Sequence, residues 1–278
     1  MRFKFSLKVT LIAVLAATLM LRASLWQWRR YKEKVKLVAK IEKSLSFKPV
    51  PLADIAEDSL TSMEFRRVTV RGTFDYSSEV IVRNRQHEGV GGVYLITPLK
   101  LSSSEDAILV NRGFLPFELS TLEKRKQFQP KGEISLVGII RQTQTPKWWL
   151  SPSDPIPTPS NKVTSWLRVN IGLMQKQIPY RVLPVYLEVI APDTSPIDLQ
   201  KEIIFTEGGR EAMFDLSSRA QIGVKGSFRE KDLPIPAHAT LLPPGRHYGY
   251  VFEWAFMALL TLCGGIVAQL KRATKKDT

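Results

Sequence analysis

"FRRVTVRGTFDY", Phe65–Tyr76, is where the chain changes its period. Val68, Val70 and, beyond Gly72, Phe74 alternate with Arg67, Thr69, Arg71 and Thr73. Successive side chains of an extended strand point to opposite faces, so this alternation predicts a strand with one apolar face. Further runs of the same kind follow: "EVIVRNR" from Glu79, "GVYLITPLKL" from Gly92, "DAILVNRGFLP" from Asp106, "GEISLVGIIRQT" from Gly132 and "LPVYLEVIAP" from Leu183. Gly89, Gly91 and Gly92 mark a turn between two of them. Short β-branched runs with turn signals between them predict an antiparallel sheet or a small barrel. "STLEKRKQF" and "IGLMQKQI" read as short helices, and "SPSDPIPTPS", with prolines at 152, 155, 157 and 159, reads as an extended loop. Residues 200–236 have weak periodicity and receive no element.

Moving outward, the period-two region is bracketed by apolar ends. "VTLIAVLAATLML", Val9–Leu21, is flanked by Lys8 and Arg22. It reaches spanning length when those two charges extend toward the headgroups, giving a first span over residues 5–28. Trp26 and Trp28 would form its interfacial belt. A cleavable signal peptide has an apolar core of similar length, but no small-x-small site precedes Trp26, so an uncleaved anchor is expected. Residues 29–64 follow as a helix continuing out of the bilayer and a proline-containing linker, "FKPVPLADIAEDS". The β-rich domain takes residues 65–246. A second span takes residues 250–270, with Glu253 as its single charge, and a basic tail takes residues 271–278. The expected class is therefore an α+β membrane protein, two transmembrane helices flanking a β-rich domain. Basic residues before the first span and after the second place both termini in the cytoplasm, while the Arg and Lys run from Arg29 to Lys40 argues the other way.

The formal net charge of +14 calls for an anionic partner. The cations gather beside the two apolar ends, which favours lipid headgroups over nucleic acid. Cys263 is the one cysteine, so no intrachain disulfide and no Cys-based zinc site is possible. The histidines are His87, His238 and His247, without paired spacing, which argues against a multi-ligand metal site. No Gly-x-Ser-x-Gly elbow occurs. Nothing here assembles an acid, a base and a nucleophile, so a non-enzymatic role is expected.

Three features carry possible binding chemistry. His87 lies in "RNRQHEGVGG", where a solvated hairpin tip competes with a loop base. Arg112 lies in "LVNRGF", where a turn with a solvated guanidinium competes with an anion contact. His247, Tyr250 and Trp254 open the second span at i, i+3 and i+7, on one helical face. A neutral imidazole ligates haem iron and aromatic rings stack on a porphyrin. A Tyr/Trp belt with a helix-start histidine would look the same. Arg246, Arg22 and Arg30 could pair with porphyrin carboxylates or equally with lipid phosphate.

Together these pieces resemble the Surfeit locus protein 1 family, two-span membrane proteins that assist cytochrome c oxidase assembly. The resemblance runs from about Leu21 to Arg272. It rests on Trp26-Gln27-x-x-Arg30, on Tyr94–Pro98 with Leu109–Pro116, and on His247-x-x-Tyr250-x-x-x-Trp254. The chain departs from the family pattern at Ser24, where Gly is usual, in "PPGRHYGY", where Asn usually precedes the histidine, and in a longer stretch from Pro192 to Ile235. The resemblance implies a bacterial inner-membrane protein with a periplasmic main domain that aids insertion of haem a into the catalytic subunit of a haem-copper oxidase. It implies His247 as the axial ligand, Tyr250 and Trp254 as pocket walls, and Trp26, Arg30 and Arg112 as further cofactor contacts. The implied partners are that catalytic subunit, membrane lipids and haem a synthase. A scaffold that binds oxidase subunits without holding haem fits the same residues.

Overall fold

The computed structural model describes residues 2–3, 5–146, 150–158, 160–191, 194, 232–236 and 245–271. His238, most of the stretch from Pro192 to Ile235 and the basic tail beyond Lys271 lie outside them. The chain forms two compact units, Met1–Lys40 with Leu242–Thr278, and Ile41–Leu241.

The first unit is a pair of helices. Helix α1 runs unbroken over Leu7–Ser46, 40 residues without Gly or Pro to interrupt it. It stops just before Lys48-Pro49, where the ring of a proline disfavours the helical region for its predecessor. The helix Gly245–Val267, α5 in chain order, is the second. Both are long and apolar enough to cross a bilayer, as a two-span membrane protein requires. They meet along a seam of small residues. Ala13, Ala17, Ser24 and Ala258 are buried there. A Cβ on Gly265 would lie 2.6 Å from the Cβ of Ala13, so the helices touch backbone to backbone at that point. Ser24 Oγ donates to the Val251 carbonyl at 2.9 Å, and Thr261 Oγ1 lies 3.4 Å from Met20 Sδ. The pairs run in opposite directions along the two helices, so the helices are antiparallel.

The second unit is a sheet that closes on itself. Its principal strands are β3 (Arg67–Phe74), β4 (Val80–His87), β5 (Val90–Leu101), β6 (Ala107–Pro116), β7 (Glu133–Gln142) and β9 (Val182–Val189), with β2 (Val50–Pro51) and β8 (Ser165–Trp166) at the margins. A two-residue pairing of β1 (Arg2–Phe3) with β10 (Leu270–Lys271) belongs to the helical unit. The sheet order is β2-β3-β7-β9-β6-β5-β4-β8, and β3 also pairs with β5 through Gly72, Thr73 and Phe74. The ring β3-β7-β9-β6-β5 is therefore a closed five-stranded barrel, which leaves no free edge in the ring. The pairings are mostly antiparallel, as expected, but β2–β3, β4–β8 and β6–β9 are parallel. Local period cannot reveal strand direction, because both kinds of pair alternate side chains equally.

Strand β3 alternates buried and open positions as its sequence implies. Strand β6 does not, because every one of its ten residues is buried. Val110 and Ile108 point into one apolar cluster with Val68, Val70 and Leu187, while Leu109 joins Trp166, Ile96 and Tyr186 in another. Both faces of β6 are covered, which explains its near-continuous apolar sequence. The segment Asn111-Arg112-Gly113 is not a turn. Leu95 pairs with Gly113 and Ile96 with Asn111, so Arg112 is the extra residue of a β-bulge. Gly113 takes φ +123°, and a Cβ there would sit 2.2 Å from the Ile235 carbonyl oxygen. Ile235 approaches that closely because it exchanges both backbone hydrogen bonds with Phe114. The residues Phe47–Ser59, read as a linker, are ordered as β2, a 3-10 turn at Leu52–Asp54 and helix α2 (Glu57–Leu60), with Leu52 and Leu60 in the core. The two short helices expected from sequence are α3 (Leu122–Arg125) and α4 (Ile171–Met174), each running on into a 3-10 turn.

Asp75 ties two distant parts of this unit. It accepts hydrogen bonds from Ser77 N and Oγ, from Ser78 Oγ and from Tyr180 Oη at 2.6 Å. Burial alone would raise its pKa, but the donors from Ser77, Tyr180 and Ser78 prevail and hold the carboxyl at about 2.

Two outcomes follow. Gly113→Ala should destabilise the sheet unit by about 1–3 kcal/mol, because the left-handed backbone and the Ile235 oxygen both reject a methyl group. An unchanged thermal midpoint by circular dichroism would refute this. Because the Asp75 carboxyl is depressed, the stability it contributes is present above pH ~4, its unfolded value, and fades as pH falls through about 2. Denaturant titrations at pH 5, 3 and 2 should show Asp75→Asn losing less stability than wild type across that window.

Candidate functional site

The residues singled out from sequence fall in two places. Arg112 lies in the sheet unit; Trp26, Arg30, His247, Tyr250 and Trp254 lie in the helical unit.

In the sheet unit the bulge buries Arg112. Its Nη1 donates to Glu79 Oε2 at 2.9 Å, and its Nη2 donates to the Phe128 carbonyl. Arg125 Nη1 lies 3.5 Å from the other Glu79 oxygen, and Thr97 Oγ1 donates to Oε2 at 2.7 Å. All three charged side chains are at most 5% exposed. The guanidinium of Arg112 also stands over the rings of Phe74 and Tyr76, at 5.2 and 5.3 Å. Neither reading of Arg112 from sequence, a solvated turn residue or an open anion contact, anticipates these partners. Two guanidiniums share one carboxylate, and burial pushes the Arg125 pKa down, against the pull of Glu79. Arg112 borders a cleft of about 730 Å³ whose other walls include Phe74, Phe128, Ile134, Leu136 and Val189. His87 sits beside the β4–β5 hairpin tip, where Glu88 and Gly89 both have positive φ, and its ring lies 5.6 Å from Phe114.

In the helical unit His247 occupies the first turn of α5. Its Nδ1 lies 2.8 Å from Gln27 Oε1 on α1. The aromatic neighbours that the fold supplies here are Trp28, Tyr31 and Tyr248, with centroids 5.2–6.3 Å apart. Tyr248 also meets Phe252 edge-on at 5.0 Å. Tyr250 is exposed and Trp254 is half-buried. Trp26 is exposed, with the Arg30 guanidinium 5.7 Å from its ring and Arg30 paired to Glu33 at 3.2 Å. From sequence, Tyr250 is selected by spacing and Gln27 enters only as a member of Trp26-Gln27-x-x-Arg30, without a role of its own, while Tyr248 is not singled out. Among the described residues no group of three or more His, Cys, Asp or Glu is placed to hold a bare metal ion. A lone imidazole can still bind iron when a porphyrin supplies the four in-plane donors.

Comparison with known proteins gives a concordant result. A model of the SURF1 family matches residues 14–259. Surfeit locus protein 1 of Rattus norvegicus is 39% identical over 145 residues, 47% of this chain and 47% of that protein. The Homo sapiens protein of the same name is 36% identical over 146 residues, 47% and 48% of the two chains. That of Xenopus tropicalis is 35% identical over 164 residues, 54% and 52%. The aligned part spans about half the length of these curated relatives.

Replacing Glu79 by Gln should cost the sheet unit about 3–5 kcal/mol, because it strands two buried guanidiniums without a counter-charge. Chemical unfolding of the full chain followed by near-ultraviolet circular dichroism measures it. A loss below about 1 kcal/mol would show that the cluster is solvated.

Proposed function

The chain belongs to the SURF1 family, and from that premise we propose that it is an assembly factor for a haem-copper (cytochrome c) oxidase. It carries haem a as cargo, not as the cofactor of a reaction of its own. The setting is a bacterial inner membrane, crossed by α1 and α5, with the sheet unit on the periplasmic side. The receiver is the catalytic subunit of the oxidase, and haem a synthase is the natural donor.

The observation that supports this reading best is the position of His247. A titratable, iron-competent ring opens a predominantly apolar span and is held by a residue of the other span. His247 would hold the iron. Trp28, Tyr31 and Tyr248 supply flat apolar surface at the same helix mouth, and Trp254 lies two turns further along the face of His247. Arg30, one turn beyond Gln27 on α1, and Arg246, next to His247 in the chain, supply cations for porphyrin carboxylates. When bound, the haem contributes its iron as a Lewis acid that takes one imidazole nitrogen. A single protein ligand suits a carrier, since release requires breaking one bond. Arg112, committed to Glu79 and Phe128, serves the fold of the sheet unit in this reading.

The test is a visible spectrum of protein purified from cells that make haem a. Wild type should show a Soret band, and His247→Ala, equally folded, should lose it. Absence of haem from both proteins, with oxidase assembly still dependent on the chain, would replace the carrier by a scaffold that binds oxidase subunits.

A further inference from the structure

Gln27 sits one helical turn beyond Ser24 on α1, and His247 one turn before Val251 on α5. The contact between Gln27 and His247 is thus the next rung of the seam after the Ser24–Val251 hydrogen bond. The register of that rung is set elsewhere, by the close approach of Ala13 to Gly265 and of Met20 to Thr261. Trp28, Tyr31 and Tyr248 pack beside it. The atom of Gln27 placed 2.8 Å from Nδ1 is the amide oxygen, an acceptor, and the partner that suits it is a ring N–H on Nδ1. A neutral imidazole has a single N–H. With the proton on Nδ1, the lone pair is on Nε2.

We infer that Gln27 is a positioning residue: it fixes the tautomer and ring direction of His247 across the seam and thereby presents Nε2 as the ligand nitrogen. This rests on the reading of His247 as an iron ligand. It also separates the roles within Trp26-Gln27-x-x-Arg30. Trp26 and Arg30 engage each other on the exposed side, while Gln27 faces the second helix. The chemistry of the acceptor matters too. A carboxylate at this place would draw the Nδ1 proton and give the ring imidazolate character, which binds ferric iron tightly. A neutral amide orients the ring without that strengthening, and so favours a ligand that lets go.

The test uses the full chain in lipid nanodiscs with ¹⁵N-labelled histidine, beside Gln27→Leu and Gln27→Glu. In the haem-free wild type at neutral pH, His247 should carry its proton on Nδ1. Gln27→Leu should shift the ring toward the Nε2–H form, and Gln27→Glu should restore Nδ1–H. With iron protoporphyrin added as the probe, Gln27→Leu should bind on the order of 10-fold more weakly. Its reduction potential should rise, and that of Gln27→Glu should fall below wild type. A merely structural role would move none of the tautomer or potential readings. Finding the proton on Nε2 in wild type, or an unchanged tautomer and potential in Gln27→Leu, overturns the inference. If His247→Ala retains the Soret band, the ligand reading fails instead. The haem-free tautomer measurement still decides whether Gln27 orients the ring.

Discussion

The helical unit depends on how closely two apolar helices can approach. In lipid there is no hydrophobic drive to press helices together, so contact comes from packing and from hydrogen bonds between backbones that small side chains bring near. Ala13 against Gly265, with Ala17, Ser24 and Ala258 along the same line, provides that approach. The Ser24 hydroxyl reaches the Val251 carbonyl only because nothing larger stands between the helices. The hydroxyl of Ser24 adds a hydrogen bond without widening the gap much. Everything nearer the helix mouth inherits this register, including the Gln27–His247 contact and the aromatic group of Trp28, Tyr31 and Tyr248.

The sheet unit answers a different constraint. A closed five-stranded ring has a small interior, and β6, one of its strands, has both faces covered. A polar Asn-Arg-Gly in such a strand is tolerated because the bulge turns the guanidinium of Arg112 toward Glu79, where it finds a carboxylate and a carbonyl. Arg125 shares the same carboxylate from the next short helix. The cluster links the start of β4, the middle of β6 and α3. Breaking one partner leaves charge buried without compensation, a far larger penalty than losing a surface pair.

For the proposed function, the two units divide the work. The helical unit offers a single imidazole and flat aromatic surface at the mouth of an apolar helix pair, a place that a lipid-soluble porphyrin can reach without crossing water. In the sheet unit the guanidinium of Arg112 is taken up by Glu79 and the Phe128 carbonyl. The spacing rule that placed Tyr250 with His247 is sound helix geometry, but a shared face says nothing about where the neighbouring helix lies. Tyr248, 100° around the helix from His247, is the residue that meets Trp28 and Tyr31.

The sequence by itself determined the features that depend on local composition and period. The two spans follow from apolar length, the strands of the sheet from alternation such as that at Val68, Val70 and Phe74, and the short helices α3 and α4 from the local composition of "STLEKRKQF" and "IGLMQKQI". His247 was visible as an anomaly, a titratable ring where a plain anchor needs none. Tertiary structure alone decided the rest. It set the closure of β3 on β5, the parallel pairing of β6 with β9, the bulge that buries Arg112 and the partner of His247. Each of these joins residues far apart in the chain, Gln27 and His247 by 220 positions. Side-chain period records which way a residue points, whereas such pairings are chosen by which surfaces fit when the whole chain packs.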